Sequence, residues 1–485
     1  MIIVLIYSSV LVNECTMNQQ QKAALGVLLL AGFVTIFDLF VVNVAIVSIE
    51  KSLNANLTEL TLIIVGYELA FGLLLITGGR LGDVFGKRTL YRVGMFWFVF
   101  SSLLCALAPT ATLLVVARLI QGLSAALLFP QVYSSIRINF TEYQAKKAFG
   151  YLGMTLGLAA IAGQALGGWL ITLDLFGLGW RTIFLVNLPI GVIALGFSRY
   201  LLEGDKLQVY LDWLGVLLSS VGIGCGLLPF LMLPVWGWNM MSSGLFAVGC
   251  LVLGGFVYYE IEREKRQLTP LFSMRILLNI PFIIGLMVVM SVYATSSAFP
   301  LLLSILLQNG FGLTPLIAGL VFVPSSIGFV VSSFLTPKWV YRWGDNTLLW
   351  GAILYGASYL LLIVALSGGQ LGTGVWALSP ILCAIGFTQG MIMTPMLNLV
   401  LSKVSHRETG MASGLTATLQ QVGAAVGATV ASVILQYGLI HFEDGNSLET
   451  LRQATCLSLG FNVVMAICAA LLLKWLVTKA NFKPC

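Results

Sequence analysis

The feature that most constrains this chain is a series of apolar stretches that recur along nearly its whole length. Each is about 20 residues long, enough to cross the hydrocarbon core of a bilayer as a helix. Charged residues make up only 9% of the 485-residue chain, whereas soluble domains carry roughly 25%. The short alternating segments of a membrane β-barrel are not evident. We therefore predict an all-α polytopic membrane protein.

We expect fourteen transmembrane helices, at 23–49, 60–79, 90–108, 111–135, 149–173, 183–201, 213–234, 243–259, 280–307, 316–336, 347–367, 374–400, 411–437 and 456–477. Fourteen divides naturally into six, two and six. The predicted domains are a short N-terminal segment, an N-terminal six-helix bundle, an inserted helix pair, a linker, a C-terminal six-helix bundle and a tail, at 1–22, 23–202, 203–260, 261–279, 280–478 and 479–485. Met17 is an alternative start to Met1.

The distribution of positive charge predicts the orientation of the chain in the membrane. If the N-terminus is cytoplasmic, only Lys51, Arg181 and Arg452 of the 25 Lys and Arg lie outside, and Arg118 is embedded. Cytoplasmic loops carry an excess of Lys and Arg, so we expect both termini in the cytoplasm. We also expect the chain to lie in a plasma membrane, specifically a bacterial inner membrane. The net charge of +6 then reflects topology, and no nucleic-acid partner is expected. The eight cysteines show no CxxC pairing, so no metal site is expected.

Three charged residues fall inside the predicted spans. Asp38 is in the middle of "AGFVTIFDLFVVNVAIVSI" (31–49), where an aspartate costs about 2.5–3.5 kcal/mol on insertion scales. Counted at 1.5 Å per residue, Asp38 and Arg118 lie at similar depth, and Glu68 lies close to the midplane. An Asp38–Arg118 pair is therefore geometrically possible.

The role of these three residues is open at this stage. The pair is either a permanent bond that pins the helices or a proton relay in which protonation of Asp38 releases Arg118. Burial favours the neutral acid and a nearby guanidinium favours the carboxylate. Glu68 either reaches water or a polar helix face, or it adds negative charge to the substrate or proton pathway.

Polar and aromatic side chains within the spans are candidates for a substrate cavity. Asn43, Gln121, Gln131 and Gln389 either line such a cavity or form hydrogen bonds between helices. Phe40, Phe129 and Tyr133 either offer aromatic walls to a substrate or face lipid or pack in the core. Two acids against one arginine make the cavity mildly anionic, which suits cationic or neutral amphipathic substrates.

Several strings resemble signature sequences of the major facilitator superfamily. They are "GGRLGDVFGKR" (78–88), "RLIQGLSAA" (118–126) and "AGQALGG" (162–168). Others resemble its fourteen-helix drug:proton antiporter branch, namely "FDLFVVNVAI", "WRTIFLVNLPIG" (180–191), "LDWLG" (211–215), "PLFSMRILLNIPF" (270–282), "GLTPLIAGLVFVP" (312–324) and "GMASGLTATLQQVGAAVG" (410–427). The resemblance covers about residues 23–480. It implies two six-helix bundles that give alternating access to a central site.

The resemblance also suggests roles for individual residues. The first string implies a gating loop between the second and third spans that latches the outward-facing state, with Gly79, Asp83, Gly86, Lys87 and Arg88. A fainter second copy, "TPKWVYRWGDN" (336–346), aligns Gly344 with Gly86. The third string implies the fifth-helix motif of antiporters, with Gly163, Gln164, Gly167 and Gly168. Its usual proline is here Gln164, which leaves the helix ladder intact.

The predicted function is a proton-coupled secondary transporter that exports drug-like or amphipathic small molecules. The alternative is an uptake, metabolite or siderophore transporter of the same fold. We do not expect the protein to be an enzyme. Its two histidines, His406 and His441, lie in loops on opposite sides, so they do not form a catalytic site together. The ATP-binding string GxxxxGK(S/T) is absent. We expect no cofactor, with the proton gradient as the energy source. The expected partners are a small-molecule substrate and membrane lipids. A periplasmic adaptor is a further option.

Overall fold

The computed structural model describes residues 17–204, 212–232, 236–266, 276, 278–368, 374–404, 409–442 and 447–480. Several features singled out in the sequence lie outside these residues. They are the segment before Met17, most of the predicted linker, most of the string at 270–282, His406 and the end of the tail.

The described residues form fourteen helices that are long and apolar enough to cross a membrane. Twelve are continuous: α1 Gln19–Leu53, α2 Leu57–Phe85, α3 Lys87–Leu107, α4 Ala111–Asn139, α5 Glu142–Leu173, α7 Trp213–Leu231, α8 Met240–Lys265, α9 Ile280–Ile305, α11 Asn346–Ser367, α12 Ser379–Leu401, α13 Thr409–His441 and α14 Ser447–Ala480. Two are each made of two segments: α6 Thr182–Leu185 and Asn187–Phe197, and α10 Pro315–Val321 and Val323–Trp343. The predicted all-α fold with fourteen membrane-spanning helices is confirmed.

Local sequence signals set the starts of several helices. Asn18, Asn56 and Thr141 each accept a hydrogen bond from the backbone N–H three residues later, and the side chain at that later position bonds back. These capping boxes satisfy amide groups that would otherwise lack a partner in the first turn. The helices therefore begin outside the apolar spans that were read from hydropathy.

Helices α1–α6 pack into one bundle and α9–α14 into a second. The inserted helices α7 and α8 pack chiefly against each other, and α7 also touches α2 and α13. We name the side where α1 begins and α14 ends the terminal face, and the opposite side the distal face. The domain boundaries given above remain predictions, although α8 continues as far as Lys265, into the predicted linker.

The predicted gating loop is mostly helical, which corrects the sequence interpretation. Helix α2 continues through Gly79 to Phe85, and α3 begins at Lys87, so Gly86 alone joins them. Gly86 has φ +96°, a conformation open to glycine but strained for other residues. Gly344 has φ +60° and directly follows α10. The two glycines thus occupy equivalent turns in the two bundles, as the aligned strings indicated.

Two spans that hydropathy predicts as continuous are interrupted. Helix α6 breaks at Val186, just before Pro189, and α10 breaks at Phe322, just before Pro324. A proline ring clashes with the carbonyl group four residues earlier and cannot donate to it, which accounts for both positions. Helix α5 is continuous through Gln164, as expected without a proline there.

The two bundles meet in the distal half of the molecule. One buried apolar core runs from the distal half of the N-terminal bundle, around Ile46 and Leu114, into the C-terminal bundle. The terminal half of the N-terminal bundle, around Tyr91 and Ile136, forms a separate core. The hydrogen bond between Thr61 Oγ1 on α2 and Ser432 Oγ on α13, 2.8 Å, lies in the distal half as well. The structure is therefore closed at the distal face.

Candidate functional site

Asp38 lies at the centre of a polar cluster inside the N-terminal bundle. Its side chain is fully buried. Arg118 Nη1 on α4 donates to Asp38 Oδ2. The other oxygen, Oδ1, accepts from Gln121 Nε2 at 3.0 Å and from Asn187 Nδ2 on α6 at 2.9 Å. The carboxylate is thus held by three donors from two other helices of its own bundle.

The charge of Arg118 is balanced by more than the carboxylate. Its Nη1 donates to Gln121 Oε1 at 2.8 Å, and its Nε donates to the carbonyl oxygen of Ile63 at 3.1 Å. Its Cζ lies 4.3 Å from the centre of the Tyr67 ring and 5.8 Å from that of Phe184. A cation over an aromatic face is attracted by the ring quadrupole. This guanidinium can therefore remain charged while only 1% exposed.

Helix α3 completes the cluster. Gln121 Nε2 donates to Ser102 Oγ at 2.9 Å, and Cys105 Sγ donates to Gln121 Oε1 at 3.5 Å. Gln121, predicted for the substrate cavity, is therefore fully buried with both amide atoms bonded. We name the set the Asp38 cluster: Asp38, Tyr67, Ser102, Arg118, Gln121 and Asn187. Asn187 is visible in the sequence as the polar residue in "FLVNLPIG", but nothing there indicates its partner.

Glu68 lies in a different environment, at the contact between the two bundles. Its Oε1 accepts a hydrogen bond from Ser297 Oγ on α9 at 2.8 Å. Among the described residues its Oε2 has no hydrogen-bond partner, although the residue is only 1% exposed. The bonds of Asp38 stay within one bundle, whereas the bond of Glu68 joins two bundles.

The other predicted cavity residues hold helices together or retain free polar atoms. Asn43 Nδ2 donates to the Leu39 carbonyl oxygen at 3.2 Å, and its buried Oδ1 has no partner in the part of the chain that the structure describes. Gln131 Nε2 donates to the carbonyl oxygen of Gly78 on α2 at 2.7 Å. Gln389 Nε2 on α12 donates to Ser296 Oγ on α9 at 3.0 Å.

The signature residues around Gly86 bond within the N-terminal bundle. Lys87 Nζ donates to Asp83 Oδ1 at 2.8 Å. Arg88 Nε donates to Glu203 Oε2 at 3.0 Å, and the Thr89 hydroxyl donates to Glu203 Oε1 at the same distance. Glu203, beyond the end of α6, was not singled out in the sequence. Among the described residues, the side-chain bonds of Asp83 and Arg88 thus involve no residue of the C-terminal bundle.

The fifth-helix motif lies between α1 and α10. A Cβ atom on Gly163 would lie 2.9 Å from the Phe37 carbonyl oxygen, and one on Gly167 would lie 2.6 Å from a methyl group of Val41, so α5 packs closely on α1. Gly168 faces α10, and Gln164 Oε1 accepts from Ser326 Oγ on α10 at 3.1 Å. The motif therefore contributes to the contact between the bundles.

Aromatic side chains form a row through the N-terminal bundle, which we name the aromatic row: Phe71, Phe129, Tyr133 and Phe149. Successive ring centres are 5.6, 5.3 and 6.0 Å apart. Tyr133 keeps 39% of its surface exposed. The row thus offers an exposed aromatic ring at Tyr133.

Comparison with known proteins identifies the family. The sequence model of the Major Facilitator Superfamily matches residues 28–208 and 213–428 of this chain. The chain belongs to the major facilitator superfamily. The resemblance drawn from the sequence is confirmed, and the chain is an integral membrane protein and a transporter.

Superfamily relatives with related sequences carry names of antibiotic transport or resistance. "Probable actinorhodin transporter" of Streptomyces coelicolor is 34% identical over 421 residues, which are 86% of this chain and 73% of the relative. "Puromycin resistance protein pur8" of Streptomyces alboniger is 32% identical over 417 residues, 84% of this chain and 81% of the relative.

Solved structures of superfamily-type transporters share the fold. A bacterial homologue of the human lysosomal transporter Spinster, in an inward-facing and unoccupied conformation, aligns with a TM-score of 0.68 at 14% identity and covers 97% of this chain and 100% of its own. An auto-inhibited peptide transporter of the POT family aligns with the same TM-score at 16% identity, over 96% of this chain and 99% of its own. At this identity the likeness concerns the fold alone.

Proposed function

We propose that this transporter exports drug-like or amphipathic small molecules by alternating access and that inward proton flow drives the export. The observation that carries the proposal is the Asp38 cluster, a charged pair buried in the membrane interior. Ionisable groups at this depth are expensive and typically mark ion or substrate pathways. The relatives named for actinorhodin transport and puromycin resistance support the substrate class.

Asp38, Glu68 and Arg118 are the proposed proton-coupling residues. While Asp38 is ionised, its charge and that of Arg118 compensate each other. Protonation of Asp38 leaves the Arg118 charge buried without its partner, and breaking a buried pair in this way costs about 3–5 kcal/mol. That free energy is large enough to shift a balance between two conformations of the bundles.

The substrate would bind between the bundles at the aromatic row. Flat apolar molecules gain from stacking on such rings, and Tyr133 keeps an exposed ring for that contact. Asn43, Gln131 and Gln389 are proposed to supply polar contacts, and the free Oδ1 of Asn43 is available for one. Gln121 is assigned instead to the Asp38 cluster.

The terminal face is proposed to lie in the cytoplasm of a bacterium, with both termini there and the chain in the inner membrane. The structure, closed at the distal face, is then the inward-facing state. In the outward-facing state Asp83 is proposed to reach the C-terminal bundle and latch the cytoplasmic side. Gly79, Gly86, Lys87 and Arg88 support that latch. Membrane lipids surround the helices, and a periplasmic adaptor is a further proposed partner.

Proton-coupled transport in everted membrane vesicles tests the proposal. Vesicles are energised until the interior is acidic, and a cationic dye or a neutral amphiphile is added while the pH gradient is recorded. We expect addition of a substrate to dissipate part of the gradient only in vesicles that contain the transporter. The substrate should also accumulate inside these vesicles.

The control is a membrane preparation with the Asp38→Asn variant at equal abundance. Loss of gradient dissipation in that variant supports a coupling role for Asp38. A substrate that leaves energised vesicles through the protein would favour the alternative, uptake. Accumulation of the substrate that persists after the pH gradient is abolished would contradict proton coupling.

A further inference from the structure

The second buried acid, Glu68, has a feature that the Asp38 cluster lacks. The residue that hydrogen-bonds to it, Ser297, is 229 positions away on the other bundle. The bond exists only while α2 and α9 are in contact, so movement of the bundles must break it. The three donors to Asp38 move with Asp38, because they belong to the same bundle.

The burial of Glu68 is compatible with a neutral acid but not with a free charge. An ionised carboxylate with an unpartnered buried oxygen loses the hydration of that oxygen without compensation. Glu68 Oε2 is such an oxygen. Ser297 Oγ donates to the other oxygen, a bond that the protonated acid can also accept. The closed contact therefore holds the protonated form.

Few charged groups act on Glu68 from the helices packed against α2. Arg118 on α4 is the charge that acts on it, and Arg118 is already paired with Asp38 on α1. The other titratable residues of these helices and of α9 are Lys22, Glu50 and Lys51 on α1, Lys87, Arg88, Tyr91, Arg92 and Cys105 on α3, Tyr133 and Arg137 on α4, Cys225 on α7, Tyr293 on α9, and Tyr437 and His441 on α13.

The two bundles also pack closely near Glu68. Four residues along α2 from Glu68, a Cβ atom on Gly72 would lie 2.7 Å from Gln421 Cβ and 3.3 Å from the Thr418 carbonyl oxygen on α13. An ionised Glu68 needs water or further donors at Oε2, and helices packed this closely must move apart to admit them. Ionisation and closure at this depth therefore exclude each other.

We propose that Glu68 is a proton-controlled lock between the two bundles, closed onto Ser297 when the acid carries a proton and opened when it is ionised. The inference rests on the proposed proton-driven transport and assigns one step of it. A proton from distal-side water binds the Glu68 carboxylate in the open state, and the neutral acid then closes onto Ser297. Loss of the same proton to the other side restores the charge and separates α2 from α9.

Spin-label distances across the distal face test the lock directly. Lys51 on α1 and His441 on α13 are exposed at that face. Each is replaced by cysteine and labelled in a chain whose native cysteines are substituted, reconstituted in lipid nanodiscs. We expect a short distance at acid pH and a growing fraction of longer distance at alkaline pH. Glu68→Gln mimics the protonated acid, so the short distance should persist at both pH values.

Ser297→Ala supplies a second arm that does not alter a titratable group. Loss of one hydrogen bond from the closed state should lower the ratio of closed to open molecules up to about tenfold. The opening should therefore move to lower pH. Glu59→Gln, on the exposed first turn of α2, and Ser358→Ala, whose hydroxyl bonds only within α11, are the matched controls. Both should keep the wild-type pH dependence.

An opening at alkaline pH that survives in Glu68→Gln would overturn the lock. The outcome is independent of the vesicle assay, because no substrate or gradient is present. Proton-driven export without a Glu68 effect rejects the lock and keeps the proposed function. A Glu68-dependent opening without any proton-driven transport rejects the proposed function and keeps the lock.

Discussion

Arg118 pairs with Asp38 across 80 positions of sequence, and each side chain is at most 1% exposed. The bond joins α1 to α4, and Gln121 and Asn187 extend it to a network over three helices of one bundle. Such a network both stabilises a bundle and makes it sensitive to the charge of one carboxylate. Stability and transport measurements on the same variants separate the two roles.

Asp38→Asn should destabilise the protein by about 3–5 kcal/mol, because it leaves the buried guanidinium of Arg118 without a counter-charge. Thermal unfolding of the purified protein in detergent measures the loss. The double variant Asp38→Asn with Arg118→Gln removes both charges and should recover much of that stability. A double variant that is stable yet shows no proton-coupled transport identifies a coupling role. Equal stability of wild type and Asp38→Asn would contradict the burial argument.

Gly86→Ala should destabilise the turn between α2 and α3 by about 1–3 kcal/mol, the usual cost of a residue in a sparsely populated conformation. Gly86 has φ +96°, and a Cβ atom there would lie 1.9 Å from Glu203 Oε1. Thermal unfolding again gives the measurement. Gly153→Ala is the control, since Gly153 is helical with nothing within 4 Å of its Cβ position. Helix propensity should make that control neutral or slightly stabilising. An equal effect at both positions would argue against strain.

Hydropathy and charge were enough to predict the number of helices, because a bilayer imposes both the length and the apolar character of each span. They could not give the breaks in α6 and α10. Other prolines do not interrupt their helices. Pro130, Pro300 and Pro395 lie inside continuous α4, α9 and α12. Neighbouring helices decide whether a proline interrupts a span, and the sequence does not state which neighbours those are.

The candidate site was only partly predictable. Depth counting placed Asp38 and Arg118 at one level, and Gln121, three residues after Arg118, shares its helix face. The rotation of each helix about its axis is set by packing, which hydropathy does not encode. The bonds that Asn187 and Ser102 make to the Asp38 cluster therefore appeared only in the structure. The same holds for the contact of Glu68 with Ser297. The same limit explains why Gln121 was predicted for the cavity.

Gly168→Ala and Gly319→Ala should each weaken the contact between α5 and α10. A Cβ atom would lie 2.3 Å from the Pro315 carbonyl oxygen in the first variant and 2.2 Å from the Gln164 carbonyl oxygen in the second. Backbone atoms cannot turn aside as side chains can, so the helices must separate. We expect the longer Lys51–His441 spin-label distance to become populated even at acid pH.

Gly157→Ala is the matched control for this interface. A Cβ atom there would lie 3.5 Å from a methyl group of Val330, an ordinary van der Waals contact. That variant should show the wild-type distribution of distances. If Gly168→Ala also shows the wild-type distribution, close approach of α5 and α10 does not hold the distal face closed.

Tyr133→Ala should weaken the binding of flat aromatic substrates several-fold, whereas Tyr133→Phe should bind nearly as wild type. An aromatic pair contributes about 0.5–1.5 kcal/mol beyond its buried area, which corresponds to roughly a two- to tenfold change in the dissociation constant. Fluorescence titration of the purified protein with an aromatic dye measures the change. Phe100→Ala is the control, because Phe100 is 40% exposed on α3, which packs chiefly against helices of its own bundle. A loss of binding in Phe100→Ala as large as in Tyr133→Ala would place the dye at the lipid-facing surface instead of the aromatic row.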